Sequence, residues 1–131
     1  MFPSNFFAAA GRLLLAIIFI YSGLGKVTSP EVVQGAIASV GLPVPLLSYV
    51  LATFVELAGG ILLLVGYQTR IVSLVLVVFT QATAWLFHSN FADQNQLIHF
   101  LKNVAIAGGL LQVAAFGAGS FSLDARRLRA A

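Results

Sequence analysis

Four long apolar stretches, at about residues 6–24, 46–66, 70–88 and 97–117, constrain this chain more than any other feature of it. Each is long enough, at about 1.5 Å of rise per helical residue, to cross the hydrocarbon core of a bilayer. A backbone in that core must satisfy its own hydrogen bonds, so each stretch is expected to be helical. The third stretch tests the rule, because IVSLVLVVFTQATAWLF is rich in β-branched residues and has strand propensity. Its 17 apolar-dominated residues are too many for an ordinary strand. Composition agrees with lipid as the outer solvent: 60% of residues are hydrophobic and only 8% charged, where a soluble domain carries about a quarter. The expected architecture is all-α, an integral-membrane four-helix bundle forming one domain over residues 1–131.

The connections fit that bundle. GYQTR joins the second and third stretches so tightly that they must be antiparallel neighbours. Pro43 and Pro45 suit the start of a helix rather than its middle. SPEVVQGAIAS, in the first connection, reads as a short amphipathic helix lying at the interface, and HSNFADQNQ as an extended connection. Arg12, Arg70, Arg126, Arg127 and Arg129 fall on one side and only Lys26 and Lys102 on the other, five against two. The positive-inside rule then places both termini in the cytoplasm. The first stretch does not read as a cleaved signal peptide, since AAA at 8–10 precedes the hydrophobic run instead of following it.

Several function classes fall away. The net charge of +3 is concentrated at the C-terminal arginines, without the aromatic platforms that stack bases, so no nucleic-acid partner is expected. That basic tail more simply meets the head groups of membrane lipids. There is no cysteine, which excludes disulfides, a thiolate nucleophile and cysteine-held iron–sulfur or haem centres on this chain. Nicotinamide fingerprint, phosphate loop, nucleophile elbow and HExxH are all missing from the sequence.

Glu56 is the sharpest local signal, a carboxyl roughly 15 Å from either end of the second stretch. An intramembrane carboxyl is costly and faces protein or a cavity. Ala52, Thr53, Gly59 and Gly60 share its helical face and would let another helix approach. Gln81 lies at a similar depth, and Lys102 and Asn103 open the fourth stretch. These four, Glu56, Gln81, Lys102 and Asn103, are the candidate binding residues. Tyr21 and Ser22 are the expected inward-facing groups of the first stretch. Arg12 and Arg70 read as topology anchors, and Trp85 and Phe87 as an aromatic belt. His88, His99 and Asp93 flank one loop, but their spacing specifies no metal and none is assigned. The polar set can equally form a satisfied packing network without chemistry.

RLLLAIIFIYSGLGKV (12–27), FVELAGGILLLVGYQTR (54–70), TAWLFHSNF (83–91) and KNVAIAGGLLQVAAFGAGSFSLD (102–124) together resemble the DoxX family of small bacterial inner-membrane proteins, in its YqjF-like branch. Arg12, Lys26, Glu56, Arg70, Lys102, Asn103 and Asp124, with Gly23, Gly59, Gly60, Gly66, Gly108 and Gly109, fall at that family's recurring positions. The resemblance implies a link to membrane redox systems, including quinol oxidase and thiosulfate:quinone activities, and the label of oxidoreductase. It assigns no catalytic residue, and a chain without cysteine departs from what thiosulfate chemistry would use. Two readings follow. One is a redox accessory subunit that binds a quinone or quinol and works with membrane redox partner proteins. The other is a non-enzymatic assembly or small-solute binding protein with a structural polar core.

Overall fold

The computed structural model describes residues 3–130, which form six helices: α1 (Ser4–Thr28), α2 (Pro30–Ser39), α3 (Pro45–Val65), α4 (Thr69–Phe87), α5 (Gln94–Phe116) and α6 (Leu123–Ala130). No strand occurs among the described residues. α1, α3, α4 and α5 are each long and apolar enough to cross a membrane. The β-branched stretch is α4, so its strand propensity yields to length and apolarity, as the backbone argument requires.

Local chemistry sets the helix ends. Pro30 and Pro45 occupy first-turn positions of α2 and α3, where a missing N–H costs nothing. α5 begins at Gln94, earlier than the apolar run alone suggests, because the Asp93 side chain caps it by accepting from the Asn95 amide at 2.9 Å. α3 ends at Gly66, whose φ of +72° suits glycine; Tyr67 N–H then reaches back to the Leu62 carbonyl at 3.0 Å in a Schellman closure. The basic tail forms α6, started by Ser122 Oγ accepting from Ala125 N–H at 3.1 Å. Asp124 lies in its first turn and Arg127 and Arg129 in its last, complementing the helix dipole.

α1 packs along α3 and α4 along α5, while the α3–α4 contact joins the two pairs and α2 leans on α3. Small residues set the close approaches. Gly23 meets Leu57, Gly60 meets Phe19 and Ile20, and Gly59 meets Leu76. Ala16, Phe19, Leu63, Leu76 and Leu110 fill the core between them. Leu14, Phe54 and Val78 point outward, as does Tyr21, which is 77% exposed. Tyr21 therefore does not face inward as its neighbours suggested: it falls outside the α1 stripe Arg12, Ala16, Phe19 and Gly23, whose spacing of four, three and four residues defines the buried face. The bundle has a terminal end, where α1 and α4 begin and α3 and α5 finish, and a loop end, which carries α2.

Candidate functional site

The α1 stripe carries a cation at each end. At the terminal end Arg12 is 2% exposed. Its Nε donates to the Ala118 carbonyl at 3.0 Å, Nη1 to those of Leu63 and Leu64 at 3.0 and 2.9 Å, and Nη2 to that of Phe121. The guanidinium thus ties α1 to the end of α3 and to the segment after α5. Arg12, expected as a topology anchor from its position near the start of the apolar run, is also held as a buried clamp. Asp124 completes this end, accepting from the Gln68 and Thr69 amides and from Thr69 Oγ1 at 2.8, 2.9 and 2.6 Å. Burial acts to raise the Asp124 pKa, but those bonds and the Arg127 charge outweigh it and hold the carboxyl below the usual value.

The stripe continues to Lys26, whose Nζ pairs with Glu56 Oε1 at 2.5 Å and donates to Ser22 Oγ at 3.0 Å. Glu56 is 3% exposed. The Lys26 side chain is 22% exposed. Tyr49 Oη donates to the Lys26 carbonyl at 2.7 Å and fixes the end of α1 against α3. Beside the pair is a cavity of about 480 Å³, bounded by α1, α2, α3, α4 and α5. Its apolar wall includes Phe19, Ile37, Phe79, Phe87 and Ile106, and its polar wall Ser22, Lys26, Glu56, Thr80, Thr83, His88 and Asn103. Its volume and its mostly apolar lining with a few convergent polar groups fall in the range seen for small-molecule pockets.

The sequence candidates divide. Glu56 and Asn103 line the cavity together; Gln81 and Lys102 are not among its lining residues. Gln81 Nε2 donates to the Asn103 carbonyl at 3.5 Å and braces α5 from α4. Asn103 Nδ2 donates to the Thr80 carbonyl and Thr83 Oγ1 at 3.3 and 3.4 Å. Lys102 is exposed on α5, and the cation that meets Glu56 is Lys26. Lys26, a recurring family position but not one of the four candidates, reaches Glu56 because α1 continues past the end of the apolar run at Leu24 to Thr28 and carries the lysine along the buried stripe.

Two further groups give the cavity chemistry. Thr80 Oγ1 is buried without a hydrogen-bond partner among the described residues, an arrangement that normally costs free energy. His88 caps α4, its N–H on the Ala84 carbonyl at 2.9 Å, and its ring centroid lies 5.1 Å from that of His99. Burial and the neighbouring His99 both lower the His88 pKa, favouring the neutral imidazole, which can donate and accept. Trp85 stacks edge-on with Phe91 and Phe100 beside this loop. No group of three or more His, Asp or Glu able to hold a metal ion occurs among the described residues.

Two known proteins of similar sequence are inner-membrane proteins by name. "Inner membrane protein YqjF" of Escherichia coli K12 is 40% identical over 113 residues, 86% of this chain and 85% of that one. "Inner membrane protein YphA" of the same organism is 33% identical over 120 residues, 88% and 86% of the two chains. "Surfeit locus protein 4 homolog" of Drosophila melanogaster is 26% identical over 129 residues, 93% of this chain but 41% of its own. No solved structure matches. The DoxX family model matches residues 7–89, from α1 through α4 and the His88 cap, so with these relatives the chain belongs to the DoxX family, in its YqjF-like branch.

Proposed function

We propose that this chain is an inner-membrane redox accessory protein that binds a quinone or quinol head group in the Lys26–Glu56 cavity. The observation that carries the reading is the Lys26–Glu56 pair, its carboxylate buried and its ammonium partly exposed, in the wall of a mostly apolar cavity. A buried ion pair contributes little net stability compared with apolar side chains of the same volume, so its presence calls for another use. Quinone carbonyls need donors: Lys26 Nζ keeps one N–H beyond those it gives to Glu56 and Ser22, and Thr80 Oγ1 has no partner among the described residues. Quinol hydroxyls need acceptors, and Glu56 and the neutral His88 ring supply them. The donor set therefore fits both redox forms, and the apolar wall fits a ring and the start of an isoprenoid tail. When bound, the quinone supplies the electron-carrying chemistry; the chain's own groups bind and orient it and exchange protons. Membrane redox proteins would be its partners.

Titrating a short-chain benzoquinone analogue into detergent-purified protein, with Trp85 fluorescence as the reporter, tests the site. Saturable binding is expected, weakened about ten-fold or more in Glu56→Gln by loss of a charged acceptor. The Glu56→Gln melting temperature serves as the folding control. No saturable binding to folded wild type, with or without partner membranes, would leave the polar set as a packing network. For topology we propose cytoplasmic termini, from the five-to-two basic asymmetry. Single cysteines at Gln34, Asp93 and Ser120 decide it: an impermeant thiol reagent on intact cells should label the first two and spare the third.

A further inference from the structure

The terminal end carries a second groove, unconnected with the quinone reading, formed where α4 begins, α5 ends and α6 folds back. Arg70 and Arg127 line it, and both are exposed. Arg70 Nη1 donates to the Ala115 carbonyl at 3.0 Å, which fixes its guanidinium across the end of α5. Arg127 is held over the Tyr67 ring at 5.2 Å, a cation–π contact that orients it without neutralising it. Neither arginine meets a carboxylate within ion-pair distance among the described residues. Asp124 also lines the groove, its oxygens accepting from Gln68 and Thr69, and this one carboxylate offsets only part of the charge of the two arginines, leaving a net positive groove. Apolar side chains rim the same groove: Ile71, Phe116 and Leu128 are all strongly exposed. Ile71 and Phe116 stand at the ends of spanning helices, where hydrocarbon gives way to head groups.

We infer that this groove binds an anionic phospholipid, its phosphodiester between Arg70 and Arg127 and an acyl chain along Ile71 and Phe116. Charge selects the occupant: guanidinium groups match phosphate oxygens, and a zwitterionic lipid gains less from two held cations. The apolar rim selects a lipid over free phosphate, which would leave Ile71, Phe116 and Leu128 uncovered. Arg126 and Arg129, outside the lining, add only diffuse attraction.

Native mass spectrometry of the detergent-purified chain, titrated with phosphatidylglycerol or phosphatidylcholine of matched acyl chains, reads the preference directly. Wild type should retain phosphatidylglycerol in preference, and each groove arginine removed should reduce that preference about five-fold. Arg70→Gln/Arg127→Gln should therefore bind the two lipids almost equally, while Arg126→Gln/Arg129→Gln keeps most of the preference. Arg127→Gln alone carries the test if the double variant fails to fold, since it removes no backbone hydrogen bond. Equal retention of both lipids by wild type overturns the inference, as does an equal loss in the Arg126/Arg129 variant. Saturable binding of inorganic phosphate that displaces the lipid would show a free-anion site and also overturn it.

Discussion

Arg12 and Lys26 occupy the two ends of one helical stripe, and the difference between them separates structure from chemistry in this fold. Arg12 meets backbone carbonyls from α3 and from the segment after α5, in a site closed by Gly66 and Ser122. Lys26 meets one carboxylate and one hydroxyl, beside an open volume. A planar guanidinium with five fixed donors suits a site that must hold several acceptors; an ammonium on a flexible stem suits one that must exchange partners. The carbonyls around Arg12 cannot be mutated away, whereas the partner of Lys26 can. The two centres should therefore respond differently to substitution.

The largest effect is expected at Arg12. Arg12→Leu strands those carbonyls in a buried site and should cost about 3–5 kcal/mol of bundle stability, on the scale of breaking a buried charged network. Arg12→Lys should recover only part of this, having fewer donors in the wrong shape. Thermal unfolding in detergent checks both; near-normal stability of Arg12→Leu would break the comparison. Lys26→Met leaves Glu56 unpaired and should destabilise by about 2–4 kcal/mol. Lys26→Met/Glu56→Leu should regain most of that stability while abolishing binding of the benzoquinone analogue. Rescue of stability without rescue of binding is the result that a purely structural pair could not give.

Asp124 offers an intermediate test at the terminal end. Its pKa is lower folded than unfolded, so its stabilisation is complete above the unfolded value, about 3.9, and is lost as pH falls through the folded one. Asp124→Asn should remove about 1–2 kcal/mol at neutral pH and flatten the stability profile below about pH 4. Unfolding midpoints measured across that range check the slope. The smallest effect belongs to Lys102. As an exposed residue outside the cavity lining, Lys102→Met should change stability by less than about 0.5 kcal/mol and leave analogue binding unaltered.

These contrasts also mark what the sequence could and could not reveal. The four spans were legible because lipid removes the alternatives to helix, and Glu56 and Asn103 because polar groups in apolar runs stand out. Helix rotation was not legible: Tyr21 and Ser22 are adjacent, yet one is exposed and the other lines the cavity. The role of Arg12 was hidden for a different reason, since its acceptors are backbone carbonyls, which every residue carries. The partner of Glu56 depended on where α1 ends, a few residues beyond the apolar run. His88 was noted only as a loop histidine, because its place in the cavity wall is set by the last turn of α4.

The Arg12 clamp has a consequence for the order in which the molecule is made. Synthesis runs from the N-terminus, so the guanidinium reaches the membrane 51 residues ahead of the Leu63 carbonyl and 106 ahead of that of Ala118. Until then it must remain at the water-facing edge of the bilayer, because a lone arginine in hydrocarbon is costly. The terminal end can close only when the last segment has emerged and folded back over α1 and α3. A nascent chain halted before Phe121 would leave Nη2 of the guanidinium without its carbonyl, an incompletely met cation at one membrane surface.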